Sequence, residues 1–305
     1  MGKGFAREFK KNRQLFFMFL PAAVFFFVFA YMPMPGLIIA FKDFDYIGGI
    51  FFSKWNGLNN FRFFVISGKL LEITLNTAKF NLIFFIVNTC LEIITAVILA
   101  ELSGKIYKKA CQSITFLPHF VSWVVVSAFA YNFLNYEIGA VNGLIRSVGA
   151  QPVDFYSKGW YWHIILPIIS AWKHVGYGTI IYLAAIKGID QEIYEAAEID
   201  GASIFQQIKK ITVPLLIPTT ATLALLRLGR ILRGDFEMFY QLIGRSSLIY
   251  KQTDVIDTFV FRSLVNVGDI GMSSAAGFYQ SVVCFITIIA VNQIVKKVNG
   301  DYALF

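Results

Sequence analysis

Apolar residues in this chain gather into runs of about 20 or more, the length an α-helix needs to cross a hydrocarbon core of about 30 Å. Six runs are read as spans: Leu15 to Phe41, Phe80 to Ala100, Ser113 to Leu134, Trp160 to Ile186, Pro214 to Arg233 and Met272 to Val295. Composition agrees, because 57% of the chain is hydrophobic and 15% charged, against roughly 25% charged in a soluble domain. The expectation is an all-α membrane protein with six transmembrane helices. The first run is too long, and lacks the small-residue cleavage site, for a removable signal peptide, so it is expected to stay as an anchor.

Basic residues set the orientation. The opening "MGKGFAREFKKNR" carries Lys3, Arg7, Lys10, Lys11 and Arg13 ahead of the first span, which places the N-terminus in the cytoplasm. Six crossings then return the C-terminus to the same side. The net charge of +8 is thereby explained by topology, and its scatter over loops excludes a nucleic-acid surface. Cys90, Cys111 and Cys284 lack paired spacing and imply neither disulfides nor a metal site.

None of the outer segments, 42–79, 135–159 and 234–271, is long enough for an independent domain with a large core. The inner loop 187–213 is patterned differently. Asp190 can cap a helix through "QEIYEAAEID" that stops at Gly201, a residue suited to a left-handed C-terminal position. Ser203 and Gln206 match a capping box for a second helix, expected to end where Pro214 removes a backbone donor. Ile193, Ala196, Ala197, Ile204, Phe205, Ile208 and Ile211 form an apolar stripe at helical spacing. That stripe can fold back on the protein's own spans, lie in the lipid interface or meet a partner. Glu192, Glu195, Glu198 and Asp200 disfavour an anionic leaflet and point to a protein partner.

At these residues the chain resembles the signature loop of binding-protein-dependent ABC importer permeases: Glu195, Ala196, Ala197, Asp200, Gly201 and, downstream, Pro214. "NTAKFNLIFFIV", "FLPHFVSWVVVSAFAYNFL", "GAVNGLI", "AWKHVGYGTIIYLAAI" and "SSAAGFYQSVV" are similar to carbohydrate-uptake permeases. The opening "LPAAVFFFVFAYMPMPGLIIAFKDF" and terminal "ALF" resemble the branch importing polysaccharide fragments or complex oligosaccharides. The resemblance implies the type I ABC importer transmembrane fold, with a transport domain over 73–293, the segment 1–72 before it and a cytoplasmic tail 294–305. It also implies that the loop, Phe205 included, docks into a separate ATPase. A second permease subunit, two ATPase subunits and an extracellular solute-binding protein are its implied partners. Carbohydrate is the implied cargo. No cofactor of its own is expected: the chain has no G-x-x-x-x-G-K-[ST] phosphate cradle, so ATP and magnesium belong to the partner ATPases.

Charge at membrane depth costs roughly 2.5–3.5 kcal/mol on insertion scales and requires a partner or a wet path. Lys173 and Glu92 are expected either to pair and fix helix packing or to line a translocation path. Arg227, Arg230 and Arg233, at steps of three on a helix, either pair with Asp235 and Glu237 or form a cationic stripe along that path. The stripe suggests an acidic oligosaccharide as cargo, gripped by planar guanidinium forks. Gly176 with Gly178, and Ser273, Gly277 and Ser281, are expected to permit close helix approach, Pro118 to kink the third span, and His119 to be packed and hydrogen-bonded. Two rivals are weighed. A secondary transporter or channel would need no ATPase, but no internal repeat is evident. An intramembrane enzyme finds neither an H-E-x-x-H spacing nor a nucleophile elbow, and no catalytic residue is assigned.

Overall fold

A computed structural model of the chain describes residues 11–66, 68–244, 246–298 and 300. Lys3, Arg7, Lys10 and the terminal "ALF" lie outside the described residues. Four helices are long and apolar enough to cross a membrane, or six if each of two bent pairs counts as one span. The straight ones are α1 (Arg13–Phe41), α3 (Lys69–Glu101), α7 (Gly159–Lys187) and α13 (Ile270–Val298). The bent pairs are α4 (Lys105–Phe120) with α5 (Trp123–Leu134), and α9 (Ile204–Leu215) with α10 (Ile217–Leu228).

Shorter elements join them. Two antiparallel strands of two residues each pair, β1 (Lys42–Asp43) with β2 (Lys54–Trp55), and α2 (Asn59–Ile66) follows. Beyond these come α6 (Ala140–Ser147), α8 (Gln191–Ile199), α11 (Phe236–Ile243) and α12 (Ile256–Arg262). α3 and α7 pack against each other and form the frame. One hydrophobic cluster joins Phe80 and Phe84 of α3 to Trp123, Trp162 and Leu166, and to Met238 and Phe239 of α11. Another, at the opposite end of α3, holds Ala96 and Leu99 against Tyr182, Leu183 and Leu216. A third gathers Ala40, Ile73, Ile256, Ala275 and Ala276.

The segment between α11 and α13 is tied to the start of α3 by a buried charge cluster. Asp254 accepts from Thr258 Oγ1 at 2.7 Å and Arg262 Nη2 at 2.5 Å, with Lys69 Nζ at 3.5 Å. Asn76 adds two bonds to the carbonyls of Lys251 and Asp254.

Two expectations about the spans need correction. The second span begins at Lys69 rather than Phe80. The third is broken rather than kinked: Pro118 sits in a 3-10 turn, Leu117–Phe120, after which the chain turns by 94° into α5. Breaking a helix in hydrocarbon strands carbonyls that water cannot reach. Here Lys173 supplies the missing donor. Its buried ammonium donates to the carbonyls of His119, at 3.0 Å, and Val121, and lies 5.1 Å from the centre of the Trp123 ring. The expected Lys173–Glu92 pair therefore does not form, because the broken backbone offers the closer acceptors.

His119 is packed as expected, stacked on Phe116 and Tyr177, but its Nδ1 is buried without a partner among the described residues. Gly176 and Gly178 do permit close approach: a Cβ at the first would collide with the Thr115 backbone, and at the second with the Glu92 carboxyl. Gly277 does not, since nothing lies within 4 Å of where its Cβ would be.

Replacing Lys173 with Met should leave the carbonyls of His119 and Val121 without their side-chain donor, at up to roughly 1–3 kcal/mol each. The expected result is a lower unfolding temperature of the purified protein in detergent, with Lys173→Arg less affected. An unchanged temperature for the Met variant would show that the ammonium does not hold the break.

Candidate functional site

Two features concentrate polar chemistry. The first is the loop 187–213. Asp190 caps α8 by accepting from Glu192 N at 3.1 Å. The helix closes with paired bonds from Gly201 N to Glu198 O and from Ala202 N to Ala197 O, a Schellman stop, and Gly201 sits at φ +76°. Nothing lies within 4 Å of its missing Cβ, so it is the left-handed backbone, not space, that calls for glycine. Ser203 and Gln206 form the expected capping box. Tyr194 Oη and Thr212 Oγ1, 2.9 Å apart, tie the two helices together.

Pro214 does not end the second helix. A π-turn over Ile208–Thr212 precedes it and the helix runs on to Leu215 before bending by 49° into α10. The wider turn accommodates a residue that has no N–H to donate.

The apolar stripe divides. Ile208 packs with the cluster around Leu216, while Ile204 and Phe205 are 60% and 73% exposed, and Ile199, outside the expected stripe, is 88% exposed. Glu195, Ala196 and Asp200 are exposed beside them, and Ala197 is half-buried. The loop thus folds back on the protein's own spans through Ile208 and presents Ile199, Ile204 and Phe205 as an uncovered ridge flanked by carboxylates.

The second feature is a cavity of about 740 Å³ lined by Arg227, Arg230 and Arg233 together with Asn81, Asn88, His174 and Asp235. The three arginines were expected on one helix running to Arg233. Instead α10 stops at Leu228, and Arg230 and Arg233 follow in tight turns, each amide bonded to the carbonyl three residues back. Turns of three residues keep the spacing that a helix would have provided, so all three still reach one cavity. Arg230 and Arg233 also line a neighbouring cavity of about 420 Å³, with Gln280, Ser281 and Cys284 of α13 and Gly36 of α1.

The irregular backbone carrying these arginines is splinted from three sides. Asn81 Nδ2 donates to the carbonyls of Ile231, at 2.7 Å, and Arg233, at 3.1 Å. Gln280 Nε2 donates to Leu232 O at 2.8 Å and Asp257 Oδ2 at 2.9 Å. Asp257 Oδ2 also accepts from Gly234 N at 2.7 Å. Burial pushes the Asp257 carboxyl up from its ordinary value, against the pull of these two donors.

The arginines do not pair with Asp235 and Glu237. Arg227 Nη2 donates to both carboxylate oxygens of Glu92, at 2.8 and 2.9 Å, and its Nη1 donates to Thr89 Oγ1 at 3.1 Å. Asp235 instead caps α11 through Met238 N and lies 3.9 Å from His174 Nε2. Among the described residues Arg230 and Arg233 make no ion pair.

Asn81, Asp257 and Gln280 were missed at the level of sequence. Asn81 and Gln280 carried a usable signal, since a lone amide in an apolar span needs a partner. Among the described residues no group of histidines, cysteines and carboxylates could hold a metal ion.

Comparison with known proteins agrees with this architecture. The chain is 35% identical to protein LplB of Bacillus subtilis (strain 168), covering 98% of this chain and 94% of the relative. It is 33% identical to the polygalacturonan/rhamnogalacturonan transport system permease protein YteP of the same organism, over 95% of this chain and 90% of that one. A chain in the crystal structure of a bacterial ABC transporter involved in the import of the acidic polysaccharide alginate superimposes with a TM-score of 0.87 at 31% identity, covering 97% of this chain and 99% of that one. The fold is that of a type I ABC importer permease. Residues 92–300 match the binding-protein-dependent transport system inner membrane component family, and the chain, a multi-pass membrane protein, belongs to it.

Proposed function

We propose that this chain is one permease subunit of an ATP-driven importer and carries acidic oligosaccharides across the plasma membrane by alternating access. The observation that carries the cargo reading is the cavity with three arginines, two of them free of ion pairs. Two similar proteins have uronate polymers in their names: polygalacturonan for one, and alginate for the other. A second solved structure of the alginate transporter, at TM-score 0.85 and 31% identity, is in complex with an alginate pentasaccharide-bound periplasmic protein, which supports an external binding protein as a partner here.

The loop reading rests on the exposed ridge at Ile199, Ile204 and Phe205. An apolar ridge ringed by Glu195, Glu198 and Asp200 suits a groove on a cytosolic ATPase better than lipid. In this proposal Glu195, Ala196, Ala197, Asp200, Gly201, Phe205 and Pro214 form the contact, and ATP is hydrolysed only in the partner subunits. Both termini lie in the cytoplasm, the transport domain spans 73–293, and a second permease subunit completes the path. The two broken spans are a feature shared with secondary transporters. ATPase-independent transport by the purified chain alone in liposomes would favour that reading.

Two measurements test the proposal in the reconstituted complex. Gly201→Leu forces a side chain into a left-handed position, at roughly 1–2 kcal/mol, and tilts α8 against α9. Membrane insertion should be normal and cargo-stimulated ATP hydrolysis lost; retained hydrolysis counts against the loop as the contact. Arg230→Ala should lower uptake of a uronate trisaccharide about tenfold, the value of one charge-assisted hydrogen bond, and spare its carboxyl-reduced counterpart. Equal impairment of both sugars would overturn charge recognition.

A further inference from the structure

Arg227 is the odd member of the arginine set. It faces the same cavity as Arg230 and Arg233, yet it alone is already engaged by an acid of this chain. Its side chain is 32% exposed, while the Glu92 side chain behind it is buried. Glu92 has no freedom to follow Arg227: its carboxyl fills the notch left by Gly178, where a Cβ would collide with it. Arg227 has two places to put its charge, and Glu92 has one.

We infer that Glu92 is a positioning residue that sets the grip of the cavity on an acidic cargo by competing with the cargo carboxylate for Arg227. This rests on the acidic-cargo reading above. With the pair intact, Arg230 and Arg233 are the net cations facing the cavity, opposed by Asp235. A cargo carboxylate that draws Arg227 away leaves a buried carboxylate without its counter-ion, so the third contact is weaker than the first two. Passage through a membrane requires binding strong enough to enter and weak enough to leave. An internal competitor supplies the second condition where three unopposed guanidinium groups would hold a uronate too long.

Asn88, one turn before Glu92 on α3, lines the same cavity, and its buried Oδ1 has no partner among the described residues. It does not neutralise Arg227, which leaves Glu92 as the group whose charge decides the outcome.

The test uses the full complex in nanodiscs and proteoliposomes, with trigalacturonate and its carboxyl-reduced form as probes. Glu92→Gln keeps the volume of the side chain and removes its charge. The Kd of trigalacturonate for the complex without its binding protein should fall about fivefold, and the maximal uptake rate should fall by a similar factor. The Kd of the reduced sugar should stay constant. The double variant Glu92→Gln with Arg227→Gln should bind trigalacturonate more weakly than wild type.

A purely structural strut between α3 and α10 would lower the rate in Glu92→Gln without tightening the Kd, and that result overturns the inference. If the Gln variant does not assemble, Glu92→Asp, which lengthens the pair, should tighten binding to a smaller degree; unchanged or weaker binding there overturns it equally. Failure of the cargo reading is separate: it shows as Arg230→Ala leaving trigalacturonate uptake intact.

Discussion

Every interruption of a helix within hydrocarbon must be made good by another part of the protein, because no water is present to bond the freed backbone. This chain interrupts its helices at residues 120–122 and again after Leu228. At the first, the donor is an ammonium, Lys173. At the second, amides from two flanking helices and a carboxylate take up the carbonyls and the amide of the Ile231–Gly234 segment. Polar residues in the spans are thus largely committed to backbone repair, and the arginines carried on the second repaired segment are left displayed.

That division of labour fixes which helices matter. α3 contributes Asn81 to the splint, Asn88 to the cavity wall, and Thr89 with Glu92 to Arg227, all on the side turned to α10. On α7, neighbouring residues face different tasks: Lys173 holds the break between α4 and α5, and His174 borders the arginine cavity beside Asp235. The two glycines that follow let α4 and Glu92 come close enough for both tasks. A bulkier residue at either position would separate the frame from the groups it positions.

Much of this was legible in the sequence. Hydrophobic runs located three of the four unbroken spans to within a few residues, as at Trp160 to Ile186, found at Gly159–Lys187, while α3 starts at Lys69, well ahead of the run that begins at Phe80. The capping residues of the loop were legible because caps and left-handed glycines are decided by three or four neighbours. Pairing inside the membrane was not. Matching Lys173 with Glu92 by charge ignored backbone acceptors, which exist only once the third span breaks, and a hydropathy window does not register a 94° turn. Likewise the spacing of three at Arg227, Arg230 and Arg233 suggested helix, where turns deliver the same facing with a different backbone. Gly229 marks the change: a Cβ there would press on Ile288 of α13 at 2.9 Å.

The loop and the cavity are physically continuous. α8 is bound to α9 through Tyr194 and Thr212, α9 passes through the buried Leu216 into α10, and α10 carries Arg227 in its last turn. Leu216 is clamped in the cluster formed by the ends of α3 and α7, so the 49° bend pivots on the same two helices that hold Lys173 and Glu92. One end of the ion pair is carried on α10, which continues from this bend, and the other on α3, which helps to form the clamp. The Arg227–Glu92 pair at the cavity wall and the loop are therefore joined by an unbroken run of contacts through α9 and α10, the physical continuity that the proposed coupling of loop to cavity requires.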